Sequence, residues 1–290
     1  MNFCNISIDA PKNFLKGAGL LNTSFLPAIT YEIKIIFKNE SDEPTICSFS
    51  STLGNGIRFL NNLKHSGPDN DFIEKINVSQ PNASIRNNNV ILFANNFTLS
   101  PNSINTITFD SCLCDKYTVK SKENTGQKIP HESNIHFTGH LIYGELGENV
   151  SSCSIESKAC DYEVTLSCDN NEVSLGEETK YYIKARAGQY DSIKSAYLRC
   201  VLDEGLEFIP DSSNIEPKKA YKLDKKTILK WDLGTFLPTE EKRIGFKVLI
   251  TNAENIKSGK ILRNKCNSNS LNNSTYDQCP SSCDFEIKVI

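Results

Sequence analysis

No stretch of this sequence is apolar over the roughly 20 residues that a membrane-crossing helix needs, and neither sign of charge dominates it. With 32 Lys and Arg against 35 Asp and Glu, the formal net charge is −3. That leaves no basic face for DNA, RNA or an anionic lipid surface, so neither nucleic acid nor a membrane is expected as a partner. Met1 to Leu15 contains one lysine and no apolar run of seven residues, so no secretory signal is expected there. Gly17-Ala18-Gly19 lacks the Lys-Ser or Lys-Thr of a phosphate-binding loop. Histidine is scarce, with His65, His131, His136 and His140 all in the first half, and no cysteine stands in a recognisable nucleophile context. The expectation is a protein that is not an enzyme and needs no cofactor.

Cysteine is not scarce. The chain has 11, beside a single Met and a single Trp: Cys4, Cys47, Cys112, Cys114, Cys153, Cys160, Cys168, Cys200, Cys266, Cys279 and Cys283. Zinc knuckles and iron-sulfur sites show as Cys-x-x-Cys pairs, whereas the close pairs here are Cys112-x-Cys114 and Cys279-x-x-x-Cys283. Disulfides are the expectation, which requires an oxidising compartment. A protein made in a reducing cytoplasm and oxidised after its cell lyses, as in a sporulating mother cell, meets both conditions. An odd count cannot pair completely within one chain, so a bond between chains is expected, with Cys4, Cys279 and Cys283 near the ends as candidates and the other eight as further disulfide candidates. Spacing does not reveal which cysteines pair.

Alternating strands fill the space between turns. Tyr31, Ile33, Ile35 and Phe37 share one face of one run, and Ile244, Phe246, Val248 and Ile250 share one face of another. The halves repeat in order. Thr30-Tyr31-Glu32-Ile33-Lys34 matches Lys180-Tyr181-Tyr182-Ile183-Lys184, and residues 53–60 match 202–209. Val90 to Phe93 matches Ile228 to Trp231, Ile107 and Phe109 match Ile244 and Phe246, and Gly139 to Ile142 matches Gly259 to Leu262. The expected organisation is all-β, two tandem immunoglobulin-like β-sandwich domains over residues 1–155 and 156–290. A cysteine followed by an alternating strand occurs at Cys4, Cys160 and Cys283. The last, with Phe285, Ile287 and Val289 on one face, is a candidate connecting strand to another copy; its alternative role is to close its own domain.

The blocks Asp203-Glu204-Gly205-Leu206-Glu207-Phe208, Trp231-Asp232-Leu233-Gly234-Thr235-Phe236-Leu237-Pro238 and Gly259-Lys260-Ile261-Leu262-Arg263-Asn264 resemble a bacterial surface-repeat family, formerly a domain of unknown function. The first half is a looser copy that lacks the Trp. The resemblance implies immunoglobulin-like spacers in surface and filament proteins. A duplicated, cysteine-bearing chain of this kind is similar to the structural proteins of clostridial spore appendages. It implies a homopolymer on the spore surface, in contact with itself and with other spore or surface proteins. The alternative is a bacterial cell-surface adhesin or surface-layer spacer.

Other chemistry reads less well. Cys112 and Cys114 with His131, His136 and His140 could in principle hold zinc, but spacing does not bring them together. Asp69-Asn70-Asp71 and Asp169-Asn170-Asn171-Glu172 lack EF-hand spacing. Trp231 and Tyr181 read as core aromatics rather than a carbohydrate platform, with Phe93 and Tyr31 as their counterparts.

Overall fold

The computed structural model describes residues 3–17, 29–80, 89–117, 127–251 and 256–290. The chain divides into two compact units, Met1–Cys160 and Asp161–Ile290. In the first, β1 (Cys4–Asp9), β3 (Tyr31–Asn39), β8 (Ser103–Leu113) and β5 (Ile57–Ser66) form a four-stranded sheet in that order. The other sheet has six strands, in the order β2 (Asn13–Leu15), β10 (Asn149–Cys160), β9 (Asn134–Tyr143), β4 (Thr45–Thr52), β7 (Ile91–Leu99) and β6 (Asn77–Ser79). The second unit repeats this plan. Its four-stranded sheet runs β11 (Tyr162–Cys168), β13 (Glu178–Ala187), β18 (Glu241–Ile250), β15 (Leu206–Phe208). Its six-stranded sheet runs β12 (Glu172–Val173), β20 (Ser281–Val289), β19 (Ile261–Asn272), β14 (Ile193–Leu202), β17 (Lys226–Phe236), β16 (Lys219–Leu223). Both units are immunoglobulin-like β-sandwiches, so the all-β expectation holds.

Alternation explains the strands. In β3, Ile33, Ile35 and Phe37 are fully buried while their neighbours face outward, and β13 does the same with Tyr181, Ile183 and Ala185. Each apolar face finds its complement on the opposite sheet. In the first unit Phe37, Phe49, Phe72 and Phe97 pack as one aromatic cluster, with centroids 4.2–6.0 Å apart. The unit division lies after Cys160, because β10 continues through residue 155 to pair in parallel with β2 from Lys158 to Cys160.

The shared topology corrects three of the sequence matches. The residue opposite Phe109 on β8 is Ile33, whereas the residue opposite Phe246 on β18 is Tyr181, so the two tyrosines are two residues out of step. Trp231 pairs with Leu198, and the corresponding partner of Phe49 is Ala94; Phe93 faces the other way and is only half-buried. Gly139 pairs with Ser51 as Cys266 pairs with Cys200, so Gly139 answers Cys266, not Gly259. Gly259 instead answers Glu132: the amide of each donates to a carbonyl at the end of the closing strand, that of Val289 or of Ala159, at 2.7 Å.

Residues 203–204 and 263–264 meet Tyr181 and Lys226 in one place in the second unit. Buried Asn264 donates to the Tyr181 hydroxyl at 2.8 Å and accepts the Asp203 amide at 3.1 Å. The Asp203 carboxylate accepts from the amides of Arg263 and Glu204, each at 3.0 Å, and faces Lys226 Nζ at 3.1 Å. The first unit fills the same space with hydrocarbon. Phe137 stands where Asn264 does and stacks on Phe14 at 5.8 Å. Gly54 stands where Asp203 does, with Ile135 Cγ2 only 2.2 Å from where a Cβ would be.

Candidate functional site

The second unit lines up three cysteines across neighbouring strands. Cys200 on β14 is register partner to Cys266 on β19, and Cys266 to Cys283 on β20. Successive residues of a strand point to opposite faces, so cysteines in register on adjacent strands share one, here the core face. Cys200 and Cys266 are fully buried, and Cys283, farthest from the sheet centre, is half-buried against the same core. The Cys266 thiol hydrogen-bonds to the thiols of both neighbours. Those bonds, to Cys200 first and then Cys283, together with burial, push its pKa well above the ordinary thiol range.

The first unit keeps only the outer member of this row. In the equivalent places stand Ser51 on β4, Gly139 on β9 and Cys153 on β10. A Cβ on Gly139 would lie 3.0 Å from Cys153 Sγ and 3.1 Å from Ile6 Cδ1, so the sulfur and the isoleucine occupy the space that a side chain would take. Cys153 is half-buried, and burial raises its pKa above the usual value. Each unit therefore holds a half-exposed thiol at the same rim position, Cys153 in one and Cys283 in the other.

Cys4 on β1 and Cys47 on β4 hydrogen-bond to each other between the two sheets, which lowers the Cys4 pKa and raises that of Cys47. Cys112 and Cys114 are buried and hydrogen-bonded together, which raises Cys114. Cys160 packs with Leu15 and Ile29, and Cys168 is half-buried, its Sγ 2.7 Å from the Asn170 carbonyl. The three candidates near the chain ends differ in exposure. Cys4 is 1% and Cys279 0% exposed, with Cys279 Sγ lying 3.7 Å from the Asp277 carbonyl. Both are buried, and Cys283 alone of the three is partly open. Phe285, Ile287 and Val289 do share a face, but β20 pairs along its length with β19, and through Lys288 and Val289 with β12, as the closing strand of its own unit.

The other candidates have ordinary surroundings. His136 faces Glu156 at 3.5 Å and His140 bonds Ser152 at 2.9 Å, both on the outer side of β9, while Cys112 is buried in the other sheet. Asp69 has its carboxylate engaged by the Ser100 amide at 3.1 Å and by Asn105 Nδ2 at 2.5 Å. Trp231 is core, its indole N–H donating to the Ile215 carbonyl at 2.8 Å.

Among the described residues no helix is long and apolar enough to cross a membrane. No protein-family model matches the sequence, and neither does any curated protein. Among solved structures the chain is similar to a red sea bream transglutaminase at 7% identity, covering 99% of this chain and 31% of that one, with a TM-score of 0.38. It is similar over 45% of its length to 97% of a cohesin module from a Clostridium perfringens family 33 glycoside hydrolase, at 11% identity and a TM-score of 0.32. It is also similar over 44% of its length to 49% of Spo0M, a sporulation control protein of Bacillus subtilis, at 14% identity and a TM-score of 0.24.

Proposed function

We propose that this chain is a non-catalytic structural subunit that assembles with copies of itself into a disulfide-crosslinked extracellular bacterial structure, with the spore surface as its site. The observation that carries the reading is the repeated rim thiol: two units of identical topology each present one half-exposed cysteine, Cys153 and Cys283, on the closing strand of the six-stranded sheet. Cys168 on β11 is a further half-buried thiol in the second unit, so the subunit has at least two points of attachment, and subunits with two or more make chains rather than dimers. An exposed apolar group supports contact between copies. Ile142 pairs with Val150 on the outer face of the first unit's six-stranded sheet, and Ile46 lies beside them; the three are 44%, 62% and 50% exposed.

The test is oxidation of reduced, purified protein in air, followed by electrophoresis without reductant and negative-stain imaging. A ladder of multimers that reductant collapses, together with regular fibres or ribbons, is expected. A single monomer band and no polymer would overturn the reading.

A further inference from the structure

The thiol row of the second unit has a property that a simple pair lacks. Neighbouring strands lie about 4.8 Å apart, so Cys200 and Cys283, separated by one intervening strand, are about 9.6 Å apart along the sheet. Disulfides close only when the Cα atoms are within about 7 Å. Directly opposed residues of antiparallel strands lie at about 4.5–5.5 Å, inside that range. Cys266 can therefore bond to either neighbour, and the neighbours cannot bond to each other.

We propose that Cys266 is a pivot thiol whose disulfide exchanges between buried Cys200 and the rim thiol Cys283, and that this exchange sets whether Cys283 is available to another molecule. A small disulfide oxidant such as oxidised glutathione accepts two electrons: the Cys200 and Cys266 thiols become a disulfide, and two glutathione thiols are released. In the exchange, the Cys283 thiolate attacks Cys266 Sγ, the Cys266–Cys283 bond forms, and the Cys200–Cys266 bond breaks. The departing Cys200 thiolate takes up the proton that Cys283 gave up, so the step is redox-neutral. With the bond at Cys200, Cys283 is a thiol at the rim; with the bond at Cys283, the remaining thiol is sealed in the core. The same row in the first unit reads Ser51, Gly139 and Cys153, so Cys153 has no such partner and is not withdrawn in this way. The exchange itself needs only one unit; its consequence for crosslinking rests on the function proposed above.

The full chain, reduced and then equilibrated at high dilution in a buffer of reduced and oxidised glutathione, is trapped with N-ethylmaleimide and its disulfides mapped by mass spectrometry. Wild type is expected to give both Cys200–Cys266 and Cys266–Cys283 peptides. Cys200→Ser is expected to give only the latter, with maleimide labelling of Cys283 falling to background, and Cys266→Ser to leave Cys283 fully labelled or glutathionylated. Wild-type protein that holds only one of the two bonds, or that keeps Cys266 reduced while Cys283 carries glutathione, would overturn the pivot without requiring either variant to fold. High dilution separates the two readings: the mapping decides the pivot whether or not copies crosslink, and multimers formed at high concentration decide the assembly whether or not the pivot exists.

Discussion

At the residue scale, two titrating groups make the second unit's core sensitive to pH. Burial alone would raise the Asp203 pKa, but the amide of Arg263, the ammonium of Lys226 and the amide of Glu204 outweigh it and hold the carboxyl below its usual value. Its contribution to stability is thus present above the unfolded carboxylate pKa of about 3.9 and lost as pH falls through the lower folded value. Asp203→Asn is expected to cost roughly 1–3 kcal/mol at pH 7, since bonds to a charged acceptor are lost. In urea titrations, its deficit against wild type should shrink as pH falls below about 4; a gap that stays constant with pH would assign the loss to packing. Tyr162 behaves oppositely. Fully buried, with Ser268 as hydrogen-bond partner at 3.1 Å, it has its pKa pushed up to about 12, chiefly by burial. The fold favours the neutral phenol, so this stability is complete below about pH 10 and declines as pH rises from there toward 12. Tyr162→Phe does not titrate, so wild type is expected to lose ground to it between pH 9 and 12 by urea midpoint. Parallel curves for the two proteins would show that Tyr162 ionises equally in the folded and unfolded states.

At the element scale, the strands and their inward faces were legible in the sequence because a period of two is written directly into residues such as Ile33, Ile35 and Phe37. Their register was not. Sliding a strand by two residues leaves every side chain on its original face, so Tyr31 and Tyr181 match in pattern although Ile33 has the equivalent pairing. Glycine misled in a different way. Gly139 and Gly259 serve unlike purposes, one making room for Cys153 Sγ, the other taking a turn at φ +86°, which Glu132 manages at φ +60° in the first unit. The thiol row was illegible for the same reason as the register: Cys200, Cys266 and Cys283 become neighbours only once two strand pairings are fixed. Gly139→Ala is expected to destabilise the first unit by about 1–3 kcal/mol, the usual cost of crowding a packed core. The companion Cys153→Ala relieves the 3.0 Å contact and should recover part of the loss in the double variant. Strict additivity of the two would show that the sulfur is not what fills the space. Trp231→Phe keeps most of the bulk but leaves the Ile215 carbonyl without its indole donor. A loss of about 1 kcal/mol, with faster amide exchange confined to residues 209–218, is the expected result.

At the scale of the whole molecule, duplication matters more than either unit's details. Ten strands recur in one order, while the polar knot of Asp203, Tyr181 and Asn264 in one unit gives way to Phe14 and Phe137 in the other, and three aligned thiols give way to one. What survives in both is the sandwich and the rim cysteine. An assembly linked through those two cysteines predicts bonds between different molecules at those positions, and this is measured most directly by oxidising an equal mixture of ¹⁴N- and ¹⁵N-labelled protein and mapping its disulfides. The account predicts mixed-isotope peptides containing Cys153 or Cys283, with Cys4 and Cys47 joined only within one isotope. Disulfides at Cys153 and Cys283 that are never of mixed isotope, or mixed-isotope bonds that run instead through Cys4 and Cys279, would contradict it.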